Sequence, residues 1–157
     1  MKVLIVYDSV SPSKMTKTVA LSIGETFKEK GIKADILFFG EVDKPILSSY
    51  DCLIAGGPTM AFRPSKGIMQ FLDSLPNSGF AGKKAAAFDT QLKMAISGDA
   101  SKGIEKKLKS LGFTIFTSPL VVYVEGKGKN IYQFREGELE KIKSWAKGAV
   151  SSLAASQ

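Results

Sequence analysis

Short apolar segments alternate with amphipathic segments along the chain, and this alternation constrains the fold more than any other feature. The first apolar run, residues 3–7, contains no polar position, as expected for a strand buried on both faces. From residue 16 apolar side chains recur every four positions until Gly31, which is typical of a helix that ends at a glycine. The same reading predicts strands at 34–39, 51–55 and 84–88, a broken strand at 113–116 and 120–124, and helices at 65–75, 104–111 and 139–153.

Five strands with interleaved helices predict an α/β fold with an open parallel sheet that is covered by helices on both faces. In such sheets ligands bind outside the carboxyl ends of the strands, so the loops that leave these ends are the expected functional segments. We call them the first loop (residues 8–15), the second loop (56–64) and the third loop (90–99). A chain of 157 residues is expected to form one domain, residues 1–157.

The composition excludes several classes of chemistry. The chain has no histidine and a single cysteine, Cys52, which removes an intramolecular disulfide and any multi-cysteine metal site. We expect no metal site, and we expect Cys52 to be a small buried residue of the third strand. The longest apolar runs have five residues, far below the roughly 20 that span a membrane. No secretory segment is recognisable, so a cytoplasmic protein without a membrane partner is expected.

The first loop concentrates hydroxyl groups between a strand end and a helix start. Ser9, Ser11, Ser13 and Thr16 lie there together with Lys14. Backbone N–H groups at a helix N-terminus attract phosphate, and serine and threonine hydroxyls donate to the same oxygens. These residues are therefore candidates for a phosphate site. The alternative is that Ser11 or Ser13 only caps the helix. Neither a Walker motif nor G-x-G-x-x-G is present, so nucleoside triphosphates and classical dinucleotides have no support.

The second and third loops carry apolar side chains where polar ones are expected. Two glycines open the second loop, and Met60 and Phe62 follow them. These two side chains could enclose a flat aromatic ligand. Alternatively, they fold back onto the core or form a dimer contact. The third loop mixes hydrogen-bonding groups with the apolar Leu92 and could close the other side.

Several segments resemble the flavodoxin family, in particular the short flavodoxin-like proteins of archaea and bacteria. The resemblance runs nearly end to end and is most specific at residues 6–9 (VYDS), 57–59 (GPT), 62–65 (FRPS), 87–90 (AFDT) and 136–139 (EGEL). It implies a flavodoxin-like, three-layer doubly wound sandwich with a five-stranded parallel sheet in the order 2-1-3-4-5. It also implies one non-covalently bound flavin mononucleotide, FMN.

The resemblance further implies which residues bind FMN. The first loop would hold the phosphate, and the second and third loops would flank the isoalloxazine ring. The implied residues are Ser9, Ser11, Ser13, Lys14 and Thr16 of the first loop and helix start, Pro58, Thr59, Met60, Ala61 and Phe62 of the second loop, and Asp89, Thr90, Gln91 and Leu92 around the start of the third.

The sequence also departs from the family pattern. The first loop is two residues longer than in common members, lacks glycine and contains Pro12, which has no N–H to donate. The tryptophan and tyrosine that usually sandwich the ring are absent from the second and third loops, because Trp145 belongs to the final helix as an expected core residue. We expect the flavin to be bound more loosely or to have differently tuned redox properties.

The functional prediction is a small electron carrier without catalytic side chains, because the cofactor performs the chemistry. An FMN-dependent NAD(P)H or quinone oxidoreductase is the alternative enzyme, and a flavodoxin-fold module that has lost its flavin is the alternative without redox activity.

The net charge of +7 favours encounters with acidic partners, whether a protein, a nucleic acid or an anionic ligand. The alternative is a solvated lysine-rich surface without a partner. Basic residues concentrate after residue 90, including Lys102, Lys106, Lys107 and Lys109 on one helix. No aromatic residue interleaves with them and Glu105 lies among them, which disfavours nucleic acid. An acidic redox protein, ferredoxin-like or a reductase, is the expected partner.

Overall fold

A computed structural model describes residues 1–93 and 98–155. The strands are β1 (Lys2–Tyr7), β2 (Lys33–Phe38), β3 (Cys52–Met60), β4 (Arg63–Pro64), β5 (Lys84–Leu92), β6 (Thr114–Ile115), β7 (Leu120–Gly128) and β8 (Ile131–Phe134). The α-helices are α1 (Met15–Glu29), α2 (Lys66–Asp73), α3 (Ala100–Ser110) and α4 (Glu138–Ala155), and two short 3-10 helices (Phe39–Glu41 and Lys44–Ser49) connect β2 to β3.

The principal strands form a parallel sheet in the order β2-β1-β3-β5-β7, with β8 added antiparallel at the edge. Counting the principal strands alone, this is the predicted order 2-1-3-4-5, and the fold prediction is confirmed. Tyr7 pairs with Gly56, and Gly56 pairs with Phe88, so β1, β3 and β5 reach the same edge in register. The first, second and third loops therefore leave the sheet side by side.

Side chains of the central strands alternate between two buried layers. Val3, Ile5 and Tyr7 of β1 face the layer formed by α1 and α4, whereas Leu4 and Val6 face the layer formed by α2 and α3. This alternation explains why the run is apolar at every position, because both faces of the strand are covered. Within the described residues, none of the helices combines the length and apolar character needed to cross a bilayer.

Cys52 and Trp145, both predicted to be buried, differ in their exposure. Cys52 is 1% exposed, and burial raises the pKa of its thiol. The prediction that Cys52 is a small buried residue of the third strand is confirmed. Trp145, expected in the core, is half-buried against the α1–α4 layer, and its indole N–H donates to the Ser118 carbonyl oxygen at 2.8 Å.

Two strands extend further than predicted. β3 runs to Met60 instead of residue 55, and β5 runs to Leu92 instead of residue 88. The second loop is therefore the end of β3, a two-residue turn and the short antiparallel β4. The glycines and Pro58 conceal this extension in the sequence, although Pro58 still pairs with Thr90 beyond the end of β1.

The close packing of β3 against β5 generates a stability prediction. A Cβ atom at Gly56 would lie 2.3 Å from ring atoms of the fully buried Phe88. We expect Gly56→Ala to lower the free energy of unfolding by about 1–3 kcal/mol, as overpacking does in well-packed cores. Urea unfolding followed by circular dichroism measures the change.

Gly148→Ala is the matched control, because its Cβ meets nothing within 4 Å and the residue lies inside α4. This substitution is expected to raise the free energy of unfolding by about 0.5–1 kcal/mol, since alanine favours a helix interior over glycine. Equal stability of Gly56→Ala and the unmodified protein would contradict the packing described for β3 and β5.

Candidate ligand-binding site at the carboxyl edge of the sheet

The first loop connects β1 to α1, whose uncapped N-terminus lies at the edge of the sheet. Lys14 precedes α1 in the left-handed region, with φ 49° and ψ 44°, and no side chain caps the helix. The alternative that Ser11 or Ser13 caps α1 is therefore wrong. No acidic residue lies in the first turn of α1. The N–H groups of this turn and the positive end of the helix dipole remain available to an anion.

A cavity of about 320 Å³ opens at this point between the ends of β1, β3 and β5. Its wall combines hydroxyl and amide groups with apolar side chains. The lining residues are Ser9, Val10, Ser11, Pro12, Met15, Thr16, Pro58, Thr59, Met60, Thr90, Gln91, Leu92, Val124, Asn130 and Tyr132. Among the described residues in this wall there is no carboxylate, lysine, arginine or cysteine.

The second side of the cavity is held by a tight hairpin turn between β3 and β4. Met60 pairs with Arg63, and the two residues between them, Ala61 and Phe62, have φ values of 48° and 70°. A two-residue turn with both central φ values positive favours glycine and asparagine, so these two L side chains cost roughly 1–2 kcal/mol each. The turn keeps Met60 and Phe62 47% and 60% exposed, so they do not fold back onto the core.

Hydrogen bonds connect the segments around the cavity. The hydroxyl oxygens of Thr16 and Thr90 lie 2.8 Å apart and are buried, which connects the start of α1 to the end of β5. The Ser65 hydroxyl donates to Asp8 Oδ2 at 2.6 Å, which connects the start of α2 to the end of β1. The first contact joins two residues that line the cavity, and the second connects neighbouring segments outside its wall.

The third loop returns to the second loop at Gly98. A Cβ at this position would lie 2.2 Å from the Phe62 Cα atom and from its carbonyl oxygen. Only glycine permits this approach of the two backbones. Residues 94–97 of the predicted third loop, including Met94, lie outside the described residues.

Asp89 is fully buried beneath the cavity and anchors the start of α3. Its Oδ2 atom accepts hydrogen bonds from the Ser101 backbone N–H and from Gln91 Nε2, both at 3.0 Å, whereas Oδ1 has no partner among the described residues. Burial raises the pKa of Asp89 from 3.8 to about 7. The hydrogen bond from Ser101 opposes this rise, and the nearby Asp99 carboxylate adds to it.

Nine of the fourteen predicted site residues line the cavity. They are Ser9, Ser11, Thr16, Pro58, Thr59, Met60, Thr90, Gln91 and Leu92. The structure brings these residues together from three separate segments, as the positions of the loops predicted. Whether they bind a ligand stays a prediction.

The other five predicted residues lie outside the wall. Lys14 is exposed and adopts the left-handed backbone conformation at the end of the loop. Ala61 and Phe62 form the hairpin turn that follows Met60 and are not among the residues that line the cavity. The Ser13 hydroxyl accepts a hydrogen bond from the Tyr132 N–H instead. Asp89 faces the α3 side of the sheet, because successive residues of a strand point to opposite faces.

Sequence reasoning missed a fourth side of the cavity. Val124, Asn130 and Tyr132 line it from β7 and β8. The turn at 126–129 predicts a hairpin, but no local pattern shows that this hairpin folds over the first loop. Val10, Pro12 and Met15 also line the wall and lie between predicted residues.

The lysines predicted to form a docking face on α3 are largely paired. Lys107 Nζ lies 3.0 Å from Asp73, and Lys109 Nζ lies 3.3 Å from Glu105. Lys102 Nζ lies 3.8 Å from Asp99. These neighbours reduce the positive field of α3.

Comparison with known proteins identifies the fold. No protein-family model matches the chain, and no curated protein matches it by sequence. A flavodoxin from the domain Archaea superposes with a TM-score of 0.77 at 23% identity, covering 98% of this chain and 99% of that one. Oxidised flavodoxin 1 from Bacillus cereus superposes with a TM-score of 0.79 at 21% identity, covering 96% and 98%.

A larger protein contains the same fold as a part. Rubredoxin oxygen:oxidoreductase from Desulfovibrio gigas superposes with a TM-score of 0.72 at 21% identity, covering 98% of this chain and 37% of that one. Taken together, these likenesses show that the chain has the flavodoxin fold, as its sequence predicted.

The buried carboxyl group of Asp89 generates a pH prediction. Because its pKa in the folded protein lies above the unfolded value, the protonated form favours folding. The stabilisation of the folded protein by this group is fully present below about pH 4 and is lost as the pH rises through about 7. We expect the pH-dependent part of the unfolding free energy to fall by on the order of 2 kcal/mol between pH 5 and pH 9, and Asp89→Asn to remove that part.

Urea unfolding at a series of pH values measures this difference. Asp43→Asn, at an exposed position, is the control and should retain the pH dependence of the unmodified protein. The assignment would be refuted if Asp89→Asn and the unmodified protein showed parallel pH profiles.

Proposed function

We propose that this protein binds FMN at the carboxyl edge of its sheet and carries electrons between redox partners. The proposal rests on the residues that line one cavity. An uncapped helix N-terminus and several hydroxyl groups lie at one end of the wall, and the apolar side chains of Met60 and Leu92 contribute to it from β3 and β5. FMN has the matching combination of a phosphate and a flat ring.

The residues present fit the phosphate group. Ser9, Ser11 and Thr16 line the cavity beside the first turn of α1, where no carboxylate would repel an anion. In the Thr16–Thr90 pair one hydroxyl donates to the other, which leaves one hydroxyl proton for a further acceptor. Helix N–H groups and hydroxyls together form the kind of anion site found at helix N-termini.

The residues around the ring region also fit a cofactor that reacts at an exposed edge. Val10, Met60, Phe62 and Leu92 are 40% to 60% exposed and lie in or beside the mouth of the cavity. They would pack against the ring and exclude water from part of it. When bound, FMN accepts and donates electrons, and the chain supplies binding, orientation and electrostatics.

An electron carrier agrees better with this wall than an enzyme with its own acid and base. Tyr132 is the one ionisable side chain among the described residues in the wall. Asp89 lies outside the wall, and its Oδ2 atom already accepts a hydrogen bond from the Ser101 backbone N–H at the start of α3. The chain therefore offers little for proton transfer to a separate substrate. The cytoplasmic location inferred from the sequence stays a prediction.

The proposal extends to an acidic redox partner. Arg63 follows the exposed hairpin turn, and Lys93 follows Leu92 at the end of β5. Lys127 and Lys129 are exposed in the β7–β8 hairpin. These cations belong to segments that also contribute cavity-lining residues, namely the β3–β4 hairpin, the end of β5 and the β7–β8 hairpin. A negatively charged protein would be steered to the edge where the ring is exposed.

Titration with FMN tests the cofactor assignment. We expect added FMN to bind with quenching of its fluorescence, and riboflavin, which lacks the phosphate, to bind at least tenfold more weakly because it loses the charged hydrogen bonds at α1. Absence of any change in FMN absorbance or fluorescence would refute the proposal and favour a flavin-free module.

Electron transfer kinetics test the docking edge. The substitution Arg63→Glu reverses one charge at the mouth, and Lys33→Glu makes the same change at the first residue of β2, on the opposite edge of the sheet. With a reduced acidic ferredoxin as donor, we expect Arg63→Glu to slow flavin reduction several-fold at low salt and Lys33→Glu to change it little.

Stopped-flow absorbance under anaerobic conditions measures both rates. The difference between the two variants should shrink at high salt, since salt screens exposed charges. Equal slowing by both substitutions would mean that net charge alone sets the rate, which would contradict docking at this edge.

A further inference from the structure

The β7–β8 hairpin extends beyond the parallel sheet. β5 pairs with β7 up to the pair Leu92 and Val124, and after this point β8 is the one strand that pairs with β7 among the described residues. The hairpin therefore projects past the edge at which the first, second and third loops lie. Its turn includes Asn130, which has a φ of 58° in the left-handed region that asparagine tolerates.

The projecting hairpin folds over the first loop. The Tyr132 N–H donates to Ser13 Oγ at 2.8 Å, across 119 positions of sequence. Asn130 and Tyr132 line the same cavity as Ser11 and Pro12. The hairpin thus forms a wall beside the end of the cavity that contains the helix N-terminus.

The chemistry of this wall suits an oxyanion. The Asn130 amide has two N–H donors, and the Tyr132 hydroxyl has one. Because the Ser13 oxygen accepts from Tyr132, its single hydroxyl proton remains available for another acceptor. The one acidic residue between positions 120 and 134, Glu125, accepts instead from Gln133 Nε2 at 2.7 Å.

We propose that Asn130 and Tyr132 contact the phosphate end of the bound flavin and that the hydrogen bond from the Tyr132 N–H to Ser13 holds the hairpin against the first loop in this position. The hairpin is then a specificity element that favours a flavin phosphate monoester over the flavin without its phosphate. The inference rests on the proposed function, since it concerns the same cavity and the same ligand.

Binding of FMN and of riboflavin to a double variant, Tyr132→Phe with Asn130→Gly, tests this role. Tyr132→Phe removes only the hydroxyl, and Asn130→Gly removes the side chain while preserving the positive φ. We expect the double variant to bind FMN about tenfold more weakly or worse, because it loses hydrogen bonds to a charged group. Its affinity for riboflavin should stay within about twofold of the unmodified protein, since riboflavin has no phosphate to lose contacts with.

Ile131→Ala is the matched control, because Ile131 lies between the two residues, is 51% exposed and does not line the cavity. It should leave both affinities unchanged. Ser13→Ala supplies an independent variant outside the hairpin, and it should weaken FMN binding without affecting riboflavin. Circular dichroism and the urea midpoint identify any variant that fails to fold.

The outcomes separate this inference from the proposed function. If the unmodified protein binds FMN and the double variant binds it equally well, the hairpin has no role at the phosphate and flavin binding stands. An equal loss of affinity for FMN and riboflavin would also overturn the inference, because the hairpin would then shape the cavity without recognising phosphate. If the unmodified protein binds neither ligand, both proposals fail.

Discussion

Backbone pairing between β1, β3 and β5 places the three loops of the site at one edge of the sheet. Tyr7, Gly56 and Phe88 occupy neighbouring positions in these strands, so three loops that are far apart in sequence leave the sheet at one edge. The pairing depends on close packing, because Gly56 leaves no space for a side chain beside the Phe88 ring. Once this register is set, the hydroxyls of the first loop and the apolar side chains of the second loop must face one cavity.

The cavity is completed by contacts that add to the sheet. The Thr16–Thr90 hydroxyl pair closes the floor, Gly98 allows the third loop to approach the second, and the β7–β8 hairpin closes the side next to α1. The first loop lacks the glycine common in flavodoxins, and Lys14 adopts the left-handed backbone in its place. In our proposal, the hairpin compensates for this altered loop by adding neutral donors beside it.

The principal strands and helices were predictable because each depends on a local pattern of apolar residues, whereas the strand order was implied by the resemblance to flavodoxins. Residues 3–7 are apolar on both faces, and no alternative to a buried central strand explains them. The extensions of β3 and β5 were not predictable, since Pro58 and its neighbouring glycines are characteristic of loops and become a strand end only through pairing with β5. Nine site residues could be anticipated from their loops, whereas Asn130 and Tyr132 could not, because their place in the cavity depends on a contact with Ser13 119 positions away.

The central claim is that one cavity at the carboxyl edge binds FMN through the first loop, the ends of β3 and β5 and the β7–β8 hairpin. Backbone amide chemical shifts, measured by NMR during titration with FMN, test it most directly. We expect the largest shifts at the amides of residues 9–11, 13–18, 59–62, 89–93 and 130–132, with small shifts at the opposite edge around Lys2 and Lys33. Saturating shifts centred elsewhere, or no shifts at all, would contradict it.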